Sequence, residues 1–300
     1  MKCSTSLYLG SEKCVTGEKS SGNMRPKVPD SAKKKLLSLG INLSYDDWRY
    51  GLTPTQALAT ELVKLKPIVN GYSLIRVGGR SDGSYVVPDD FEGIDGLISP
   101  GYGNLSLFED DLFYRRQIPS YIIDPEIPLS NTKEYLNFTK GRLGLDDDSR
   151  NVSLETWISS LNIELEQDKW LLQLDIEGSE WEVLYQFPVD KLDRFRIIVV
   201  ELHQMELLMN RLMFERFYKP TLTKLLKNFD VVYTHPNNSK EPFSFSNLSF
   251  PKIIEITLHN KRRRKINLRN AINQAKIQDF PTRPDLPEFQ INWNTFEKYI

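Results

Sequence analysis

The sequence predicts an α/β fold with a mostly parallel β-sheet that helices cover on both faces. From Gly71 onward, apolar runs of strand length alternate with longer amphipathic stretches. Strands that are apolar throughout are typical of parallel sheets buried on both sides. The last two predicted strands are separated only by residues 236–251, a stretch rich in Asn, Ser and Pro. A loop of that kind favours an antiparallel pair at one edge of the sheet.

Each element has its own signal. Thr53-Pro54-Thr55 is typical of a helix start, and Leu58, Leu62 and Leu65 follow it at helical spacing. The apolar runs predict strands over residues 94–100, 121–124, 170–176, 195–203, 229–235 and 253–259. The amphipathic stretches predict helices over residues 104–116, 152–161, 179–187 and 205–228. Ser153 is the expected N-cap of the second of these helices.

The two ends of the chain differ from its middle. Residues 1–30 are rich in Ser, Lys and Gly, which predicts a flexible tail. At the other end, repeated prolines favour extended backbone, with Ile291 and Trp293 available to pack on the domain. We therefore expect a tail at 1–30, a helical N-terminal cap at 31–70, an enzyme domain at 71–262 and a packed C-terminal arm at 263–300.

Composition excludes several classes of protein. The only cysteines, Cys3 and Cys14, lie in the tail, so neither a disulfide framework nor a cysteine zinc site is available. No apolar run reaches the roughly 18 residues needed to cross a bilayer, and no signal pattern opens the chain. We therefore expect a cytoplasmic protein. Net charge is −1, and the one basic run, Lys261–Lys265, is either a solvated loop or a site for a polyanion.

Polar residues end five of the apolar strands. Ligands of doubly wound sheets bind outside the carboxyl ends of the strands. A single polar strand end needs no explanation beyond a turn, but five together predict a site at one rim of the sheet. The strand ends contain Gly101-Tyr102-Gly103, Asp124-Pro125-Glu126, Asp175-Ile176-Glu177-Gly178, Glu201-Leu202-His203 and His235-Pro236-Asn237-Asn238.

The first two strand ends are typical of a nucleoside site. Gly101 and Gly103 allow a tight turn and a close approach to a ligand, although a plain turn would also use them. Asp124 follows about 20 residues later, where an acid can accept hydrogen bonds from two ribose hydroxyls; a helix N-cap is the alternative. The third glycine of a dinucleotide turn is replaced by Ser106, which favours a cofactor without a pyrophosphate. The absence of a GxxxxGK[ST] motif argues against nucleotide hydrolysis.

Taken together, several motifs resemble one known family. Over residues 71–260 the chain is similar to FkbM-type class I methyltransferases that use S-adenosylmethionine (SAM). The most specific motif is D-I-E-G-x-E-x-x-V-L, which begins at Asp175 and follows an apolar strand. The other segments that carry the resemblance are 74–78, 82–90, 99–109, 196–203 and 235–238.

The resemblance implies a seven-stranded Rossmann-like sheet with an antiparallel last strand. It also implies SAM-dependent methyl transfer, mostly to oxygen and often to a sugar hydroxyl or a similar polyhydroxylated acceptor. Gly101 and Gly103 would face the methionine end of SAM, and Asp124 its ribose. The cofactor-binding set would also include Arg76, Asp82, Tyr85 and Asp175. One departure is Gly83-Ser84, where many relatives carry two glycines.

The chemistry of the rim suggests how an acceptor hydroxyl could lose its proton. His203 is the expected general base because its ordinary pKa lies near neutrality, with Asp175 and Glu201 beside it; capping the strand is its alternative role. A second hypothesis is that these three side chains hold Mg²⁺ or Mn²⁺. Glu180 needs only a structural role at its helix start. The expected substrate-binding residues are Glu177, His203, His235 and Asn237, although Asn237-Asn238 could be only a turn.

Two other functions stay open. An RNA or protein methyltransferase is the first, but base-amine enzymes of this fold have an N/D-P-P-Y/F turn where this chain has Asp175-Ile176-Glu177-Gly178. The second is a binding module that has kept the fold and lost catalysis. We expect a small-molecule or glycan acceptor, with no membrane partner and with nucleic acid disfavoured.

Overall fold

The computed structural model describes residues 51–80, 83–102, 107–126, 133–144, 147, 151–265 and 280–300. Its centre is a sheet of seven strands, which are β3 (Gly96–Pro100), β4 (Ser120–Asp124), β5 (Leu136–Lys140), β6 (Trp170–Leu174), β7 (Phe195–Leu202), β8 (Phe229–Pro236) and β11 (Ile254–Asn260). Across the sheet they lie in the order β5-β4-β3-β6-β7-β11-β8. The predicted fold class, a mostly parallel seven-stranded sheet with an antiparallel last strand, is confirmed.

The antiparallel strand is not at the very edge. β11 is inserted between β7 and β8 and runs antiparallel to both, so β8 is the edge strand. β3, β4, β5, β6 and β7 pair in parallel. The chain moves outward from β3 to β5 and then returns to place β6 on the other side of β3. Strand order therefore reverses between β3 and β6, which is where sheets of this kind bind ligands.

Helices and a hairpin cover the two faces of the sheet. The helices are α1 (Thr55–Leu62), α2 (Leu107–Arg116), α3 (Leu154–Ser160), α4 (Glu180–Gln186), α5 (Val189–Leu192), α6 (Arg211–Met213), α7 (Lys219–Asn228) and α8 (Trp293–Glu297). β1 (Leu74–Val77) and β2 (Tyr85–Pro88) form an antiparallel hairpin beside α2. Adjacent residues of each central strand face opposite cores: Leu171 packs with the hairpin and α2, and Leu172 with the other helices.

Three local predictions differ from the structure. The expected helix over 205–228 is interrupted: a 3₁₀ turn covers Met205–Met209, and the helix proper begins after Asn210, whose side chain caps it. A π-helical turn at Phe214–Tyr218 then joins α6 to α7. The loop over 236–251 contains a short hairpin, β9 (Phe243–Phe245) and β10 (Leu248–Phe250). β5 had no predicted counterpart, because its sequence, LNFTK, is half polar.

The segments before and after the domain pack on the β8 side of the sheet. Leu58, Leu62 and Leu65 are fully buried, as their spacing predicted. The backbone of Ile68 donates to Val231 on β8, so this part of the cap covers the edge strand. Ile291 and Trp293 pack against the same core, and Phe296 is buried there. The predicted tail at 1–30 and part of the expected cap and arm lie outside the described residues.

Candidate active site

A cavity of about 640 Å³ opens at the carboxyl ends of β3, β4 and β6. We call it the main cavity. Of the residues predicted from the sequence, Tyr85, Gly101, Asp124, Asp175 and Glu177 line it. Asp82 and Gly103 lie outside the described residues. The remaining predicted residues, Arg76, Glu201, His203, His235 and Asn237, do not line the main cavity; Arg76 and His235 line a small space that shares Gly83 with it.

Gly101 shapes the floor of the main cavity. Its backbone has φ +84°, in the region that favours glycine. A Cβ at this position would overlap the carbonyl oxygen of Asp175 at the end of the neighbouring strand β6. The turn after β3 can therefore lie against β6 only because residue 101 has no side chain.

Replacing Gly101 with alanine should lower the free energy of unfolding by about 2–4 kcal/mol, because backbone strain and overpacking act together. The matched control is Gly79→Ala. Gly79 also has positive φ, but its Cβ would meet nothing within 4 Å, so only strain of about 1 kcal/mol applies there. Urea unfolding measures both. Equal losses for the two variants would contradict a packing role for Gly101.

Asp124 ends β4 with its carboxylate fixed by backbone donors. Tyr102 N–H donates to Oδ2 at 3.0 Å, and Glu126 N–H donates to Oδ1 at 2.8 Å. Each carboxylate oxygen can accept a further hydrogen bond. The side chain thus bridges the turn after β3 and the turn after β4, with acceptor capacity left for a ligand in the main cavity.

A buried polar chain in the wall of the main cavity was not foreseen from the sequence. Ser99 Oγ lies 2.5 Å from Glu109 Oε1 and 2.9 Å from Gln173 Oε1, and Gln173 Nε2 donates to Tyr85 Oη at 3.0 Å. Ser99 has one hydrogen for two acceptors, which fits a protonated Glu109; burial raises the pKa of Glu109. The available signal was a polar residue inside an apolar strand: Ser99 in β3 and Gln173 in β6.

Asp175 and Glu201 form a carboxyl pair at the ends of β6 and β7. Their side chains are close enough for a hydrogen bond between the two carboxyl groups to affect the pKa of each. Burial raises the pKa of Asp175 to about 6. Burial and the negative charges of Asp175 and Glu255 raise the pKa of Glu201 well above its usual range. Asn237 Nδ2 donates to Glu201 Oε1 at 2.5 Å, which leaves the second Glu201 oxygen for the pair.

His203 is buried and does not line the main cavity. Its Nδ1 is 3.2 Å from Glu180 Oε1 and 3.1 Å from the carbonyl oxygen of Glu201. Burial lowers the pKa of His203, but the hydrogen bond and charge of Glu180, with Asp175 and Glu177 nearby, outweigh that and raise it. His203 Nε2 is 3.8 Å from Glu177, whose side chain is exposed.

Glu180 is fully buried and holds the turn that follows β6. Its Oε1 accepts from the N–H groups of Ile176 at 2.9 Å and Gly178 at 3.1 Å. This agrees with the structural role predicted for it. Glu180 therefore positions both Asp175, through the turn, and the ring of His203.

Among the described residues, the side chains whose donor atoms converge enough to hold a cation are those of Asp175, Glu180 and His203, within 4.8 Å of one another. This is not the predicted set, because Glu180 replaces Glu201. Glu180 Oε1 already accepts two backbone N–H groups, and the short contact to His203 Nδ1 fits a hydrogen bond. The geometry does not support the divalent-cation hypothesis, so we assign no step to a metal.

The basic run Lys261–Lys265 lies at the opposite end of the sheet from the main cavity, and its side chains are engaged. Arg262, Arg263 and Arg264 pair with Asp193, Asp90 and Asp230. Lys261 donates to the carbonyl oxygen of Leu226 at 2.6 Å, and Lys265 lies 3.7 Å from the ring centre of Tyr72. These contacts favour a structural role for the run over binding of a polyanion.

Comparison with known proteins gives distant likenesses only. No family model and no curated protein matches the chain. A human methyltransferase 10 domain containing protein aligns over 77% of this chain and 92% of its own, at 12% identity and a TM-score of 0.33. A precorrin-6y C5,15-methyltransferase from Geobacter metallireducens GS-15 aligns over 73% and 97%, at 11% identity and a TM-score of 0.31.

The antibiotic-resistance methyltransferase Kmr aligns over 62% of this chain and 100% of its own, at 10% identity and a TM-score of 0.29. Likenesses this distant carry no argument about cofactor, substrate or reaction, which must come from the site itself. Among the described residues, no helix is long and apolar enough to cross a membrane.

Proposed function

We propose that this chain is a SAM-dependent methyltransferase that methylates a hydroxyl of a sugar or of another small polyhydroxylated acceptor. The observation that carries the proposal is the main cavity: it lies where strand order reverses, and Asp124 ends the strand next to the glycine turn. A volume of about 640 Å³ is within the usual range for a small-molecule site. The resemblance of the sequence motifs to FkbM-type enzymes supports the same function.

The charge of the lining favours SAM over a dinucleotide. The described acids around the main cavity are Glu109, Asp124, Glu126, Asp175 and Glu177, and they face one guanidinium, that of Arg142. Even with Glu109 protonated, the lining is negative. Two phosphates would be repelled by it, whereas a sulfonium cation would be attracted. The replacement of the third turn glycine by Ser106 agrees with a cofactor that has no pyrophosphate.

Each residue then has a defined task. Asp124 would accept the ribose hydroxyls, and the bare backbone of Gly101 would allow the methionine end to approach, with Arg76 and Tyr85 on the side of the hairpin. When bound, SAM supplies an electrophilic methyl group on a positively charged sulfur. The acceptor oxygen must give up its proton as its bond to carbon forms and the carbon–sulfur bond breaks.

Asp175 is the base in this proposal. It lines the main cavity, and a pKa of about 6 leaves it mostly ionised at neutral pH and still basic enough to accept a proton. Glu201, hydrogen-bonded to Asp175, stabilises the ionised form by donating to it. His203, the base expected from the sequence, would act through Glu180, and a direct role for it as the base stays a prediction.

Isothermal titration calorimetry with SAM and with its demethylated product tests the cofactor assignment. Asp124→Ala should weaken both affinities by roughly 10²-fold, because hydrogen bonds to a charged acceptor contribute about 1.5–3 kcal/mol each. Asp95→Ala is the control. Asp95 is exposed and directly precedes β3, at the end of that strand opposite the main cavity. If neither compound binds the unaltered protein, or if Asp124→Ala binds as tightly, the assignment fails.

A further inference from the structure

The buried polar chain in the wall of the main cavity runs in one direction. Gln173 fixes that direction, because one end of a side-chain amide accepts hydrogen bonds and the other donates them. Its Oε1 accepts from Ser99, and its Nε2 donates to Tyr85. Since the Ser99 hydrogen goes to Gln173, the contact of 2.5 Å between Ser99 and Glu109 needs a hydrogen from the Glu109 carboxyl group. Burial raises the pKa of Glu109, which favours that protonated form.

Tyr85 ends the chain at the main cavity, which it lines together with Gln173 and Glu109. Its hydroxyl oxygen accepts from Gln173, and among the described residues no acceptor lies within hydrogen-bond distance for its own hydrogen. Burial and nearby negative charges raise the pKa of Tyr85 well above its usual range, so the hydroxyl keeps its proton at neutral pH. The remaining hydrogen is therefore available to a ligand in the main cavity.

Tyr85 and Asp175 act on the same part of the main cavity. Both line it. Asp175 directly follows β6 and comes two residues after Gln173, and residues two apart on an extended strand project to the same face. After burial, the charge of Asp175 contributes most to the raised pKa of Tyr85. A hydrogen-bond donor and the proposed base are therefore neighbours.

The charges around Tyr85 restrict the group that can take its hydrogen. Asp175, Glu255 and Glu201 all act on its hydroxyl. A carboxylate, such as that of the methionine end of SAM, would be repelled by these charges. A neutral hydroxyl would not, because it can donate its hydrogen to Asp175 and accept from Tyr85 with one lone pair. Its second lone pair is then left for the methyl group.

We propose that Tyr85 is a catalytic residue that holds the reacting oxygen of the acceptor by donating a hydrogen bond to it. Gln173, Ser99 and Glu109 are positioning residues that act through Tyr85. This inference rests on the proposed function, and it moves Tyr85 from the cofactor contacts that the resemblance implies to the acceptor. The acceptor oxygen bonds to the methyl carbon as the carbon–sulfur bond breaks, with its electron pair left on sulfur. The acceptor proton passes to Asp175, and Tyr85 keeps its own.

The test compares Tyr85→Phe with the unaltered full chain. Isothermal titration calorimetry gives the SAM affinity, which should stay within about threefold because no cofactor contact is lost. Transfer of tritium-labelled methyl from SAM gives turnover, with methyl hexosides as sugar acceptors and water, which yields methanol, as the smallest hydroxyl. Turnover should fall by about 10–100-fold, because a hydrogen bond is lost and the reacting oxygen is less well placed.

Two further readouts separate this role from a structural one. The pH profile of Tyr85→Phe should have a lower plateau with its acidic limb unmoved, because Asp175 is still the base. Tyr218→Phe is the matched control. It removes a fully buried hydroxyl outside the main cavity, so turnover should not change.

Variants of Glu109 test the direction of the chain. Glu109→Gln keeps a donor towards Ser99, because an amide N–H replaces the carboxyl O–H, so turnover should stay within about threefold. Glu109→Leu removes the donor, and turnover should fall by about tenfold with SAM affinity unchanged. Equal losses for the two variants would contradict the direction proposed. Both variants retain Tyr85, so they test the inference even where Tyr85→Phe does not fold.

Three results would overturn the inference. These are a SAM affinity that falls along with turnover in folded Tyr85→Phe, which would return Tyr85 to the cofactor; unchanged turnover in that variant; and transfer to neither sugar nor water by a protein that binds SAM. A protein that does not bind SAM would instead refute the proposed function.

Discussion

Replacing Asp175 with asparagine should lower turnover at saturating SAM by about 10²–10⁴-fold, the usual contribution of a positioned general base. Asparagine keeps the size of the side chain and can still bond to Glu201, but it cannot accept a proton. Transfer of a labelled methyl group from SAM to a sugar acceptor gives the rate. The same measurement on His203→Ala distinguishes the two candidate bases. A large loss for His203→Ala, with Asp175→Asn close to the unaltered protein, would assign the base to His203.

The pH dependence of the rate follows from the same pair of carboxyls. A base must be ionised to act, and burial raises the pKa of Asp175 to about 6. Turnover should therefore rise with pH through about 6 and level off above it. In the Asp175→Asn variant this acidic limb should disappear from the residual activity. A limb that persists unchanged would place the titrating group elsewhere.

Asp90→Ala should destabilise the fold by about 3–5 kcal/mol, because it removes the anion from a buried charge cluster. Arg263 donates to both Asp90 oxygens, at 2.7 and 2.8 Å, and His259 Nε2 lies 3.1 Å away. Arg196, only 4% exposed, lies 3.7 Å from the same carboxylate. Without Asp90, Arg263 loses two hydrogen bonds and the buried Arg196 loses one of its two nearby carboxylates. The midpoint of urea unfolding at constant slope measures the loss.

The neighbouring residue is the control. Asp89 forms an ion pair with Arg116 in which both side chains are more than 40% exposed, so Asp89→Ala should change stability by only about 0–1 kcal/mol. Similar losses for the two variants would show that the buried cluster is not a major source of stability.

Acid should weaken the same cluster. Burial raises the pKa of Asp90, but hydrogen bonds from His259 and Arg263 outweigh it and hold that pKa well below its usual range. The stabilisation is therefore complete above the ordinary Asp value of about 3.9 and is lost as pH falls below it. Stability measured from pH 5 downward should fall less steeply in Asp90→Asn than in the unaltered chain.

The sequence predicted the sheet well because its central strands carry their own signal. An apolar run such as Phe195–Leu202 is buried on both faces whichever strands pair with it. It can therefore be recognised as a central strand without knowledge of its neighbours. β5 is at an edge and half polar, and β9 and β10 form a hairpin three residues long on each side. Such elements owe their structure to the partner strand, which local pattern does not reveal.

Some residues of the candidate site could be predicted from the sequence and others could not, for the same reason. Asp124 and Asp175 could be placed at the rim because each directly follows an apolar strand. Ser99, Glu109 and Gln173 could not, since their contacts join positions far apart in the chain. His203 lies just beyond the end of β7, where Gln204 takes a left-handed conformation. That turn leaves the imidazole beside Glu180, a position that residue order alone did not indicate.

Residues before and after about position 180 line different spaces in the structure. The described lining of the main cavity comes from residues 83–179, whereas described residues within 234–293 line a separate groove of about 270 Å³ between β8 and the C-terminal segment. Substitutions around that groove would therefore leave the lining of the main cavity unchanged, so the two spaces can change in sequence independently of each other.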